Sequence, residues 1–182
     1  FKRSRVAAVG GSRHGVIRTS DFYEAKTGSD DGELSVGEWL SVPEYALAEA
    51  VNGEVFYDGL GEFSAIREKL SRFPEDIRLK KIAGNLLLMG QSGQYNYQRC
   101  IKRGETGAAQ LAVFEFVKSA TAVLFLLENR YMPYYKWSFR ALRELSLLHE
   151  ALARELEFLI SSGNDEPTAK KKLASIENIS KA

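Results

Sequence analysis

The chain has 182 residues, 45% hydrophobic and 27% charged, which fits a soluble globular protein with a real core. Its 25 Lys+Arg stand against 24 Asp+Glu. That balance argues against broad, sequence-independent nucleic-acid binding, which neutralises many phosphates with a basic surface, and leaves room only for a local basic patch. The single cysteine, Cys100, excludes an intrachain disulfide and a CxxC metal site, and a reducing, cytoplasmic setting is the simpler reading.

The chain opens at Phe1 without a cationic, apolar signal run, so a processed or truncated fragment is expected. Residues 1–13 are basic and glycine-containing (Lys2, Arg3, Arg5, Arg13) and read as a loop. His14 to Thr19 reads as a short strand. Ser20 or Asp21 then caps a helix that ends at Gly28. Ser29 to Leu34 is a polar loop. Ser35-Val-Gly-Glu38 and Ser41-Val-Pro-Glu44 both fit a capping box, with Pro43 at a first helical position. Glu54 to Tyr57 alternates apolar and polar and reads as a second strand before the Asp58-Gly59 turn.

From Glu62 the pattern is helical. Phe63, Ile66 and Leu70 share a face, and Pro74 opens a helix that Gly90 to Gly93 should interrupt before it resumes over Tyr95 to Lys102. Glu105 to Asn129 is the longest and most apolar helix. Its expected core stripe is Leu111, Phe114, Val117, Thr121, Leu124 and Leu127. Glu115 and Lys118 leave Ser119 to Leu127 as the longest uncharged run, far short of the roughly 20 residues a bilayer needs. A core helix is expected, with no membrane partner. Pro133 starts a helix through Leu145, Leu147 to Ile160 follows, and Pro167 to Ile179 forms a detachable terminal helix after Ser161-Ser-Gly-Asn-Asp. The fold class is mainly α: a bundle of about five to seven helices with one or two short strands. Its organisation is expected as 1–61, 62–161 and a tail over 162–182.

Two histidines make no zinc cluster, and Gly10-Gly11-Ser12-Arg13 lacks the lysine and spacing of a P-loop. Asp30, Asp31 and Glu33 read as a solvated loop. Two segments carry chemistry. Over Gly93 to Glu105, helical spacing sets Tyr95, Arg99 and Arg103 on one face at i, i+4 steps, beside Asn96 and ahead of Glu105. Guanidinium forks suit phosphates and aromatic faces suit bases, while a salt-bridged helix corner is the structural alternative. Over Tyr131 to Arg140, a helix entered at Pro133 aligns Lys136 with Arg140 near an anion-favouring N-terminus, beside Tyr134. Trp137 and Phe139 are assigned to the core. Both stretches are expected to face one shared pocket.

HGVIRTSDFY, WLSVPE (Trp39 to Glu44), NGEVFYDGLGEF (Asn52 to Phe63), GQYNYQRCIKRGE (Gly93 to Glu105) and YMPYYKWSFRAL (Tyr131 to Leu142) together carry a resemblance. The chain resembles, from about Phe1 to about Leu148, a bacterial family of nucleotidyltransferase-like proteins with a C-terminal domain of unknown function. The resemblance implies a polymerase-β-like core whose Asp-x-Asp pair holds magnesium, followed by a helical domain. In such enzymes the metal bridges nucleotide phosphates while a hydroxyl displaces pyrophosphate. Here Asp21-Phe-Tyr-Glu24 has no Asp-x-Asp, so no metal-ligand role passes to it, and this chain alone is expected to be inactive. Magnesium and nucleotide are implied for the full-length protein only. The two strands would be edge pieces of a truncated nucleotidyltransferase core, and their open edges leave a homodimer as an expected partner state. The reading is a substrate-side helical portion binding nucleotide or a small-molecule acceptor through Tyr95, Asn96, Arg99, Arg103, Glu105, Tyr134, Lys136 and Arg140. Its rival is a non-catalytic helical module that recognises RNA or a protein partner.

Overall fold

The computed structural model describes residues 15–146 and 150–181. The Gly10–Arg13 loop, His14 and His149 lie outside the described residues. The elements are α1 (Thr19–Thr27), α2 (Val36–Ser41), α3 (Glu44–Val51), α4 (Glu62–Lys69), α5 (Glu75–Met89), a π-helical segment (Gly90–Tyr97), α6 (Gln98–Lys102), α7 (Thr106–Leu127), α8 (Tyr135–Leu142), α9 (Glu150–Ser161) and α10 (Glu166–Lys181). The fold is a mainly α-helical bundle, as the periodicity implies. Among the described residues, short helices over Thr19–Thr27, Val36–Ser41 and Glu44–Val51 add to the bundle ahead of α4.

Neither expected strand forms among the described residues. Val16 to Arg18 runs extended into α1 with Val16 and Ile17 in solvent. Glu54 to Tyr57 makes no ladder, and Phe56 and Tyr57 are almost fully exposed. Side chains hold its ends instead: the Arg67 guanidinium donates to the Val51 and Gly53 carbonyls. The Asp58 carboxylate accepts from the N–H groups of Gly61 at 3.0 Å and Ser64 at 2.8 Å, at the start of α4. Those contacts keep Asp58 below the usual carboxylate range.

Local signals decide several helix ends. Gly28 closes α1 at φ +81°, a conformation that costs glycine little. The Ser35–Glu38 capping box forms in full, with Ser35 N–H donating to Glu38 Oε2 at 2.7 Å and Glu38 N–H donating to Ser35 Oγ at 3.3 Å. The Ser41–Glu44 box does not: Pro43 takes the N-cap position of α3, and Glu44 turns inward. The Gly90–Gly93 interruption is also absent. The helix runs on from α5 into α6 through a π-helical segment, whose wider turn absorbs the extra residue. Gly93 makes this fit possible. A Cβ there would lie 2.9 Å from Ile176 Cγ2 and from Phe116 Cε2, and closer still to Phe116 Cδ2.

α7 is the axis of the molecule. It is long and apolar enough to cross a bilayer, yet 56% of that apolar window is buried inside the fold. Its buried face is Ala109, Val113, Phe116, Val117, Ala120 and Val123. Of the expected stripe, Val117 and Thr121 are buried and Leu124 packs against the core, while Leu111, Phe114 and Leu127 are exposed. α5 packs antiparallel to α7, with the Arg78 guanidinium donating to the Leu126 carbonyl at 3.1 Å, near the α7 C-terminus. One apolar cluster gathers Met89, Tyr97, seven buried residues of α7 from Ala109 to Phe125, Leu142, Leu156, Leu159 and Ile176. A second joins Tyr23, Trp39, Leu47, Leu70, Phe73, Ile77, Leu126 and Tyr131, and so draws on residues from both sides of position 61.

The terminal helix is docked rather than detachable. α10 buries Ala169, Lys172, Ile176 and Ile179. Lys172 is fully buried, and its ammonium donates to the Ser162 carbonyl at 2.8 Å, Gln110 Oε1 at 3.0 Å and Asn164 Oδ1 at 3.3 Å. Three donors meet three acceptors, which is what makes a buried lysine tolerable. Burial still holds its pKa below the usual lysine value, with Asp165 pulling the other way. Tyr97 Oη donates to Asn164 Oδ1 at 3.0 Å, so the same network ties the π-helical segment to the α9–α10 connection.

Candidate functional site: an aromatic cleft between α3 and α8

The C-terminus of α7 sets up the site. Asn129 adopts φ +55°, the left-handed conformation that asparagine tolerates better than most residues. Asn129 N–H then donates to the Leu126 carbonyl at 3.1 Å and Arg130 N–H to the Phe125 carbonyl at 2.9 Å, a Schellman closure. The chain leaves α7 at a sharp angle and crosses back toward α3. Tyr131 fixes the crossing: its ring is buried edge-on to Phe73 at 4.7 Å, and its hydroxyl donates to the Leu70 carbonyl at 2.7 Å. Burial, followed by the Glu44 charge, holds the Tyr131 phenol well above its ordinary range. Glu44 itself pairs with Lys81 at 3.7 Å, both side chains being largely buried. Burial raises the Glu44 pKa, against the pull of Lys81.

α3, the end of α7 and α8 enclose a cleft of about 610 Å³, within the size range of small-molecule sites. Tyr45 of α3, Asn129, Arg130, Tyr134, Trp137 and Arg140 are among its lining residues. Tyr45 and Tyr134 meet edge-to-face at 5.3 Å, and Tyr135 leans on Tyr134 at 4.5 Å. The Tyr135 hydroxyl and charge, then burial, raise the Tyr134 pKa. Lys136 turns back over the Trp137 ring at 5.6 Å and is not part of the lining. Glu49 at the rim is engaged by Lys26. Arg140 makes no hydrogen bond or ion pair among the described residues, so its guanidinium is free to bind an anion at the cleft.

Trp137 is the main correction here. The sequence assigns it to the core, but it is 50% exposed and lines the cleft. Phe139, two residues on, is the one that packs against the core. Tyr45, Asn129 and Arg130 were not singled out as site residues at all. Only the turn residues that follow a long apolar helix hint at the last two.

The Gly93–Glu105 stretch lies elsewhere. Arg99 donates to Tyr95 Oη at 2.8 Å and stacks 4.7 Å from its ring centroid, so the i, i+4 spacing produces a pair satisfied on its own helix. Arg103 and Glu105 are exposed at the α6–α7 corner. Asn96 lines a separate cavity of about 350 Å³ with Ser92, Cys100, Ala108 and Ala112. Ala112 borders that cavity and Phe125 borders the aromatic cleft, and thirteen helical residues put them about 20 Å apart. The two stretches sit toward opposite ends of α7, and the expected shared pocket is not formed.

A mainly α-helical bundle with an aromatic cleft edged by both arginines and glutamates is thus the class that fold and site define. The family model described as Domain of unknown function (DUF4037) matches residues 39–138, and the chain belongs to that family. The matched span runs from Trp39 through Ser138 and so includes Tyr45, Tyr134 and Trp137. Comparison with curated proteins and with solved structures gives no match.

Proposed function

We propose that this chain is the substrate-side helical part of a nucleotidyltransferase-like protein, and that its ligand enters the cleft between α3 and α8. One observation carries the reading: three partly exposed rings, Tyr45, Tyr134 and Trp137, surround a cleft edged by the unpaired Arg140 guanidinium. Rings offer faces for a planar group, and a guanidinium fork grips a phosphate or carboxylate. A ring with an anionic arm, as in a nucleotide or a phosphorylated acceptor, matches that arrangement. Tyr95, Asn96, Arg99, Arg103 and Glu105 take no part in this binding.

Among the described residues no three His, Cys, Asp or Glu side chains converge, and Asp21 sits exposed on α1. No step is therefore assigned to a metal on this chain, and metal chemistry would come from a domain such as the one the resemblance implies.

Titration calorimetry with AMP and adenosine tests the proposal. Arg140→Ala should weaken AMP by about 10- to 100-fold, the worth of one charge-assisted contact, and leave adenosine unchanged. Trp137→Ala should weaken both ligands, and its melting temperature should stay near wild type because the ring is half exposed. Arg99→Ala should change neither. The proposal fails if neither ligand binds, or if Arg99→Ala matters as much as Arg140→Ala.

A further inference from the structure

We infer that the cavity between the π-helical segment and α7 is a second binding site, one that takes a small primary amine with a short aliphatic arm. It stands apart from the aromatic cleft and shares no lining residue with it. α7 is apolar along its length and has two charged residues, Glu115 and Lys118. Lys118 is exposed, whereas Glu115 is half-buried and lines the cavity. Lys118 lies three residues on, close enough for an ion pair on one helix. Even so, Glu115 has no hydrogen bond or ion pair among the described residues. A half-buried carboxylate without a partner is costly on a core helix. On the other wall, Ser92, Asn96 and Cys100 follow at steps of four and share the face that meets α7. Packed helices ordinarily set apolar side chains along such a face. This one carries a hydroxyl, a carboxamide and a thiol, and the small Ala108 and Ala112 of α7 leave room beside them.

The polar groups select the ligand. Ser92 Oγ donates to the Leu88 carbonyl at 2.6 Å, so toward the cavity the hydroxyl oxygen accepts. Asn96 and, at the exposed rim, Gln91 each offer a carboxamide oxygen. Glu115 is the one charged residue of the lining among the described residues. An anion would be repelled by it, and a neutral molecule would leave its charge unmatched. An ammonium brings three N–H donors and the opposite charge, and so answers both the acceptors and the carboxylate. This chain already holds an ammonium in that way: Lys172 donates to the carboxamide oxygens of Gln110 at 3.0 Å and Asn164 at 3.3 Å and to the Ser162 carbonyl at 2.8 Å. The cavity repeats the pair of carboxamides and adds a carboxylate. Leu88, Ala108 and Ala112 give a short methylene arm an apolar wall. At about 350 Å³ the cavity is at the lower end of small-molecule sites, so the amine must be small.

Butylamine is the probe, with 1-butanol and butyrate as controls at matched ionic strength. Cys100 is the single cysteine and lines the cavity, so its alkylation by iodoacetamide, read by mass spectrometry, reports occupancy. Butylamine should slow the alkylation saturably, with the roughly millimolar half-saturation expected of so small a ligand, and neither control should do so. Glu115→Gln keeps the side-chain shape and removes the charge. It should weaken protection by about 10-fold or more while the circular dichroism spectrum is unchanged. Glu105→Gln removes an exposed carboxylate outside the cavity and should protect like wild type. Alkylation that butylamine does not slow saturably overturns the inference. So does protection by 1-butanol equal to that by butylamine, or an equal loss in Glu105→Gln and Glu115→Gln.

Discussion

Gly93→Ala is the substitution that most directly tests how the helical rod from α5 to α6 lies on the core. Two effects oppose each other. Replacing glycine inside a helix gains about 0.5–1 kcal/mol, because alanine loses less backbone freedom on folding. Against that, the new Cβ would sit 2.9 Å from both Ile176 Cγ2 and Phe116 Cε2, with Phe116 Cδ2 nearer still. Real carbon contacts do not come so close. Phe116 and Ile176 are both buried in the main apolar cluster, so neither can swing into solvent. Overpacking of a closed core typically costs 1–3 kcal/mol, and here one atom collides with two side chains at once. The larger cost wins, and Gly93→Ala should be destabilised by about 2 kcal/mol. Gly84→Ala is the control: it sits in α5 with nothing within 4 Å of the added Cβ, and should gain about 0.5–1 kcal/mol. Urea denaturation followed by circular dichroism reads both changes, at one fixed low concentration. Two substitutions of the same kind should therefore move stability in opposite directions. If Gly93→Ala matched Gly84→Ala in sign, the packing of the π-helical segment against α7 and α10 would be wrong.

Tyr97 and Glu44 give pH tests of opposite ends of the fold. Burial, then Asp165, pushes the Tyr97 phenol from 10.0 up to about 12. A raised folded pKa means full stability below about pH 10 that is lost between pH 10 and 12. Wild type should lose about 2–3 kcal/mol more than Tyr97→Phe over that window, and parallel curves would refute the buried hydroxyl. The Glu44 pKa is raised, first by burial, so its contribution is greatest below the usual glutamate pKa and falls as pH rises through the folded one. The stability of wild type relative to Glu44→Gln should therefore increase as pH falls from 7 toward 4. A difference that stays flat or shrinks would place Glu44 in water.

What was legible in the sequence follows the range of the interaction involved. The Ser35–Glu38 box and the Gly28 stop need only residues within one turn, and both form as read. The similar Ser41–Glu44 pattern fails because Ser41 ends α2, α3 begins only at Glu44, and Lys81, from far along the chain, pairs with the glutamate. The α7 stripe is right only in part, at Val117, Thr121 and Leu124, for a related reason. Apolar residues occupy nearly every face of that helix, so periodicity could not choose among them, and packing by α5, α9 and the π-helical segment did. The expected strand over 54–57 alternates correctly, yet alternation cannot supply a partner strand, and Arg67 takes up the flanking carbonyls instead. The shared pocket could have been doubted from sequence alone. One stretch ends where α7 begins and the other starts where it ends, and a 22-residue helix is about 33 Å long.

The cleft is positioned by polar anchors more than by its own apolar packing. α8 buries only Ser138 and Leu142, too little to fix which way Trp137 and Arg140 point. Its entry is set upstream by the left-handed turn at Asn129, the Tyr131 bond to the Leu70 carbonyl, and the largely buried Glu44–Lys81 pair. The Tyr131 bond is buried, and away from water such contacts are strongest and most costly to break. Glu44 retains a buried carboxylate oxygen with no partner, so the anchor is not optimised for stability. A chain selected only to fold would fill this region with apolar side chains. Retaining an incompletely paired carboxylate beside an open aromatic cleft is the pattern expected where geometry at the site outweighs stability.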